Sequence, residues 1–203
     1  MNNNTSSASI SASHEVPTVP QQSSQSNGKP DIQEYCENQL GVIRQINGDK
    51  RFQTPVSFVC IAAFIGYLSR LTYGKNCIHD QDSQIYIRFV TDILGTIKND
   101  YKTIANDLYY VFRCGIVHSM SFTPPCGAKE STCNMAIAHD PQTKWKSGIG
   151  FYTETKQGTV WTVLNADDLI TDLYKAISHM FADATIRQHA IEFAKKQPPI
   201  KGV

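Results

Sequence analysis

An arginine and a histidine stand five positions apart in the apolar, aromatic-rich run Leu108-Tyr-Tyr-Val-Phe-Arg-Cys-Gly-Ile-Val-His-Ser119. Only 18% of the chain is Asp, Glu, Lys or Arg, so Arg113 and His118 are conspicuous in what reads as a core helix near its end. Histidine is the side chain suited to accepting or donating a proton near neutral pH. A guanidinium meets negative charge on phosphate-like oxygens with paired hydrogen bonds. These two types together point to chemistry on an anion.

Helical geometry decides whether they can act together. At 100° per residue, Ile97, Tyr101, Ile104, Leu108, Val111, Phe112 and Gly115 form one stripe, the expected core face. Arg113 lies nearly opposite, with Asn106, Tyr109, Tyr110 and Val117, an aromatic face for one left to solvent. His118 sits at the edge of the core stripe. The two side chains are about 140° apart around a straight ideal helix. A distortion at Gly115 would bring them together. So would a two-fold dimer through the Tyr109/Tyr110/Val117 face, which also gives the outward apolar residues a partner.

The segment Arg113-Cys-Gly-Ile-Val-His118 fits R-x(4–6)-H with four residues between, after a tyrosine-rich turn and with an aliphatic pair before the histidine. In this it resembles the HEPN superfamily (higher eukaryotes and prokaryotes nucleotide-binding), over residues 31–122 plus the final helix. The resemblance implies a dimeric α-helical bundle and metal-independent cleavage of RNA in a cleft across the dimer. A ribose 2′-hydroxyl would attack the adjacent phosphorus and leave a 2′,3′-cyclic phosphate. It implies His118 for proton transfer and Arg113 for charge stabilisation. Tyr109 or Tyr110, with Asn106 and Val117, would form the substrate-binding or dimer face. No cofactor and no metal are implied. Many active members carry a polar residue directly after the arginine, where this chain has Cys114. The alternative function is a non-catalytic dimeric module of the same type, binding a nucleotide or a protein partner. In the simplest reading, Arg113 covers its tyrosine neighbours and His118 bonds the last helix carbonyls.

The rest of the chain must position this pair. Residues 1–30 are Ser, Asn, Gln and Pro without periodicity, a composition expected to stay disordered. They lack the basic start and apolar stretch of a signal peptide, so a cytoplasmic protein is expected. The folded domain is expected over 31–203. A net charge of +1 gives no overall drive toward nucleic acid or membrane. Six cysteines stand singly without C-x-x-C, which suits reduced thiols. The spacing of Cys126, Cys133 and His139 matches no common zinc pattern. Gly-rich phosphate loops, G-x-S-x-G and H-E-x-x-H are absent.

Asp31 is placed to cap a first helix ending at Asn47-Gly48. Thr54 and Pro55 start a second, apolar nearly all round through Tyr73, the expected central helix of a bundle. Its longest apolar run, Val56 to Leu68, is shorter than a bilayer needs and is followed by Arg70. Gln81 to Leu94 repeats the helical pattern until Gly95 interrupts, and Asn99 or Asp100 starts the helix bearing Arg113. A β-hairpin is expected within about 133–164, anchored by Trp145 and Trp161. Asn165 then caps one long final helix reaching Lys195-Lys196, with Asp167 and Asp168 favourably placed in its first turn. The expectation is a mainly α, HEPN-like helical bundle with a small β-hairpin insert before the last helix. Endoribonuclease activity, toxin-like or in defence, a homodimer, RNA or an antitoxin as partner, and no membrane complete it.

Overall fold

The computed structural model describes residues 31–49, 55–73, 82–119, 134–137 and 151–196. Asp31 accepts a hydrogen bond from the Gln33 amide (3.1 Å) and starts α1, Ile32–Gly48. Cys36, Leu40 and Ile43 form its buried stripe. Helix α2, Val56–Tyr73, buries residues on most of its circumference. It is long and apolar enough to cross a membrane by those criteria alone. Here it packs against α1, against α3 (Asp82–Phe89) and against the three later helices described below. Protein covers much of its apolar surface, while Val56 and Ala63 stay exposed and Val59, Cys60 and Tyr67 are half-buried.

Gly95 does not end the third helix. The chain passes from α3 through a wide π turn, Val90–Leu94, where the Gly95 amide reaches the Val90 carbonyl, into the single turn α4, Gly95–Ile97. The missing Cβ leaves room for Lys102, whose stem would lie 2.8 Å from a methyl built there. The break comes at Lys98, in extended conformation (φ −148°, ψ 122°). Asn99 then opens a 3₁₀ turn, Asn99–Thr103, rather than the expected α-helix. The α-helical backbone resumes with α5, Ala105–Asp107, widens into a second π turn, Leu108–Arg113, and closes with α6, Cys114–Ser119.

The β element is larger than a hairpin. Strands β2 (Phe151–Lys156) and β3 (Thr159–Leu164) pair antiparallel around Gln157-Gly158, both at positive φ (52° and 78°), a turn that glycine suits. Strand β1, Asn134–Ile137, joins β3 in parallel, giving the order β1-β3-β2. A parallel partner needs a long connection, so local turn residues gave no sign of it. Trp161 is half-buried on β3; Trp145 lies outside the described residues, as do the tail, Thr54, Cys126, Cys133 and His139.

The expected single final helix is two. Asn165 caps α7, Ala166–Ala182, by accepting from the Asp168 amide (3.1 Å). Asp167 accepts from Asn47 (2.8 Å), joining the start of α7 to the end of α1. Asp168 is less favourable than its place in the first turn suggests, because burial pushes its carboxyl above the usual range, with Lys98 opposing and Asp172 and Asp167 adding to the shift. At Asp183 the backbone turns extended, and the side chain caps α8, Ala184–Lys196, accepting from the Thr185 (2.8 Å) and Ile186 (3.0 Å) amides. Asp183→Ala is expected to cost about 1 kcal/mol, as loss of an N-cap does. The urea unfolding midpoint measures it, and an unchanged midpoint would deny the cap that role.

The molecule is thus mainly helical with a small three-stranded mixed sheet, and the insert precedes two helices rather than one.

Candidate functional site

Three helix segments meet around Arg113: the last turn of α2, the first residue of α3, and the π turn running into α6. In that turn the Cys114 amide bonds the Tyr109 carbonyl, five residues back, so the helix is widened just before the pair. The distortion lies ahead of Gly115, not at it. The long arginine side chain then spans the remaining rotation, and Arg113 Nη1 comes to 3.3 Å from His118 Nε2 within one chain. No second subunit is needed to bring the two together.

Arg113 is held from several sides. Its Nη2 donates to Asp82 Oδ2 (3.1 Å), its Nη1 donates to Cys114 Sγ (3.8 Å), and its guanidinium lies over the Tyr109 ring (5.5 Å to the centroid). Asp82 is shared: its Oδ1 accepts from Arg70 Nη2 (3.0 Å) and Nε (3.3 Å). Two arginines and one aspartate leave one net positive charge there. Burial disfavours the Arg113 charge, but Cys114, Tyr109 and Asp82 outweigh it and raise its pKa further. The guanidinium is therefore a permanent cation, its side chain 23% exposed.

His118 is exposed, and Arg113 can only donate, so a hydrogen bond between them requires an unprotonated Nε2 with the proton on Nδ1. In that tautomer the basic nitrogen faces the guanidinium. Protonation would set two donors against each other and open the contact.

The remaining expected site residues divide. Tyr109 is not on an outward face: it is 9% exposed, packed edge-on against Tyr86 (ring centroids 5.4 Å) and Tyr110 (5.0 Å). The widened turn rotates it inward, where an ideal helix would have left it facing solvent. Burial raises its hydroxyl to about 12, Cys114 adding and Arg113 opposing. Tyr110 is half-buried, Val117 is 38% exposed beside His118, and Asn106 is exposed and takes no part in the contacts around Arg113. Asp82 and Arg70 were missed. As an acidic residue at a helix start and a basic one in a last turn, both read as ordinary helix-end charges. Among the described residues no cluster of three or more His, Cys, Asp or Glu could hold a metal ion.

Fold and site together define a mainly helical bundle carrying a partly exposed Arg–His pair braced by a shared aspartate. Comparison with models of known protein families, with curated proteins and with solved structures finds no match.

Proposed function

We propose that this protein is a metal-independent endoribonuclease of HEPN type. The observation that supports it is the 3.3 Å approach of Arg113 Nη1 to His118 Nε2 at an accessible edge of the bundle. A phosphodiester drawn to the guanidinium would place its ribose 2′-hydroxyl near that nitrogen. His118 would take the proton as oxygen attacks phosphorus, and Arg113 would stabilise the charge gathering on the non-bridging oxygens. Asp82 would fix the plane of the guanidinium, and Arg70 would offset the negative charge Asp82 brings. Cys114 stands where a more polar residue is usual, yet its sulfur accepts from Nη1, so the position still contributes a contact. A homodimer is proposed through the exposed Val117 and half-buried Tyr110 edge. It would adjoin two complete pairs rather than assemble one.

The experiment is incubation of the purified protein with RNA in EDTA. Cleavage leaving 2′,3′-cyclic phosphate ends is expected, and a single 2′-deoxy substitution at the cut position should block it. Products with 3′-hydroxyl ends, or cleavage of the 2′-deoxy substrate, would rule out this chemistry. A second reading is favoured by how far Arg113 is already engaged, its Nη atoms meeting Asp82, Cys114 and His118: a non-catalytic module that binds a nucleotide or protein partner. It predicts tight binding without turnover at the same surface.

A further inference from the structure

Helices α1 and α2 do not close on each other along their whole length. An open groove of about 350 Å³ lies between them, walled by Tyr35, Val42 and Ile46 of α1 and by Cys60, Phe64 and Tyr67 of α2. It shares no residue with the surroundings of Arg113, and none of the described residues lining it is charged. Val42 is 49% exposed there, and Ala63 across from it is exposed too. Three rings form the end nearest Asp31. Tyr35 meets Tyr67 edge-on (6.2 Å between centroids), and Phe64 stacks on Tyr67 (6.3 Å). Tyr35 is one turn from Asp31, its amide bonding the Asp31 carbonyl (2.9 Å). An uncharged groove with aromatic walls suits an extended proline-rich peptide, which loses little entropy on docking.

The chain carries such a sequence close by. Thirty residues precede Asp31, the cap of α1, and most of them are polar. Their densest apolar stretch is Val16-Pro-Thr-Val-Pro20, a P-x-x-P sequence without a charge. Residues 21–30 join it to Asp31. Fully extended, that connection reaches about 33–36 Å, whereas the helix axis from Asp31 to Ile46 measures about 22 Å. The stretch can therefore return along α1 and lie in the groove. The groove is near the lower end of ligand clefts, about 300–1,000 Å³, which fits a few side chains better than a helix about 10–12 Å across.

We propose that Val16–Pro20 of this chain docks into the groove between its own α1 and α2, with the prolines against the Tyr35, Phe64 and Tyr67 rings. The docking covers apolar surface that the helices leave open, and it is independent of the proposed nuclease.

Cys60, half-buried in the groove wall, reports whether the groove is filled. A tethered segment has an effective concentration on the order of 1 mM, so an intrinsic Kd of about 0.1 mM leaves the groove open ~10% of the time. Iodoacetamide should therefore alkylate Cys60 of the full chain ~10-fold more slowly than Cys60 of the Val16→Asp/Val19→Asp variant. Mass spectrometry reads both rates at several protein concentrations. Circular dichroism of the variant should match wild type, since the two valines lie outside the helices that build the groove. A synthetic peptide of residues 14–23, at about 1 mM, should restore slow alkylation in the variant. Equal rates in the two proteins would overturn the docking and leave the groove to a separate partner. Protection that rises with protein concentration and persists in the variant would overturn it in favour of a second copy of the chain. A variant that the peptide fails to protect would overturn direct contact by this segment.

Discussion

His118→Ala is expected to lower RNA cleavage by about 10²–10⁴-fold, the usual worth of a positioned general acid or base. The substitution is informative because it should cost the fold little. His118 is exposed on the last turn of α6, and surface changes of this kind stay within about 0.5 kcal/mol. Arg113→Ala should lower cleavage by about 10²–10³-fold through lost charge stabilisation. It leaves Asp82 still paired with Arg70, so no carboxylate is stranded. Arg113→Lys should not restore activity, because an ammonium cannot hold Asp82, Cys114 and His118 in one plane as the guanidinium does. Single-turnover rates on one RNA, with circular dichroism of each variant, make the comparison. Equal rates in wild type and both alanine variants would end the assignment. Because the two residues act as a unit, the double variant should be little slower than either single one.

How much of this could be read from the sequence depends on which period each segment obeys. The first two helices and the start of α7 follow a plain 3.6-residue pattern with a capping Asp, a Pro and a capping Asn. Their placement was legible. The segment carrying Arg113 was not, because 100° per residue fails across Leu108–Arg113. The widened turn accounts for Tyr109, which plain periodicity turned outward, whereas the Arg–His contact is made across ordinary α-helix by the reach of the arginine side chain. Gly95 misled in the opposite sense. Glycine is a poor helix former, but here its small size admits the Lys102 stem and the helix continues. Asp183 misled because apolar spacing runs past it, while its side chain ends one helix and caps the next. Asp82 and Arg70 could not be found at all. Their meaning comes from a contact with Arg113 across a sequence separation of 31 in the case of Asp82, and periodicity carries no information about such pairs.

Asp172→Ala should destabilise the protein by about 3–5 kcal/mol, the cost of breaking a buried ion pair by removing one partner. Asp172 is fully buried on α7. Lys98 Nζ sits 2.9 Å from both its oxygens, and the Tyr101 hydroxyl donates to Oδ2 at 2.8 Å. Lys175 adds a longer contact (3.5 Å) from an exposed position. Alanine would leave the fully buried Tyr101 hydroxyl without this acceptor and Lys98, 19% exposed, without its counter-charge. Lys98 can turn partly toward water, which places the expectation at the lower end of the range. Asp172→Asn keeps an acceptor for Tyr101 but not the charge, so it should fall between alanine and wild type. Urea denaturation of the three proteins measures the order, and an alanine variant as stable as wild type would remove the pair from the account of stability. The contact also reaches the site. Lys98 is the extended break that precedes the helix of Arg113, Tyr101 lies in the 3₁₀ turn after it, and Tyr101 packs edge-on against Phe151 of β2 (5.6 Å). Asp172 therefore ties α7 and the sheet to the point where that helix begins. Partial activity in Asp172→Asn, lost at a lower urea concentration than its secondary structure, would show that the site loosens before the bundle does.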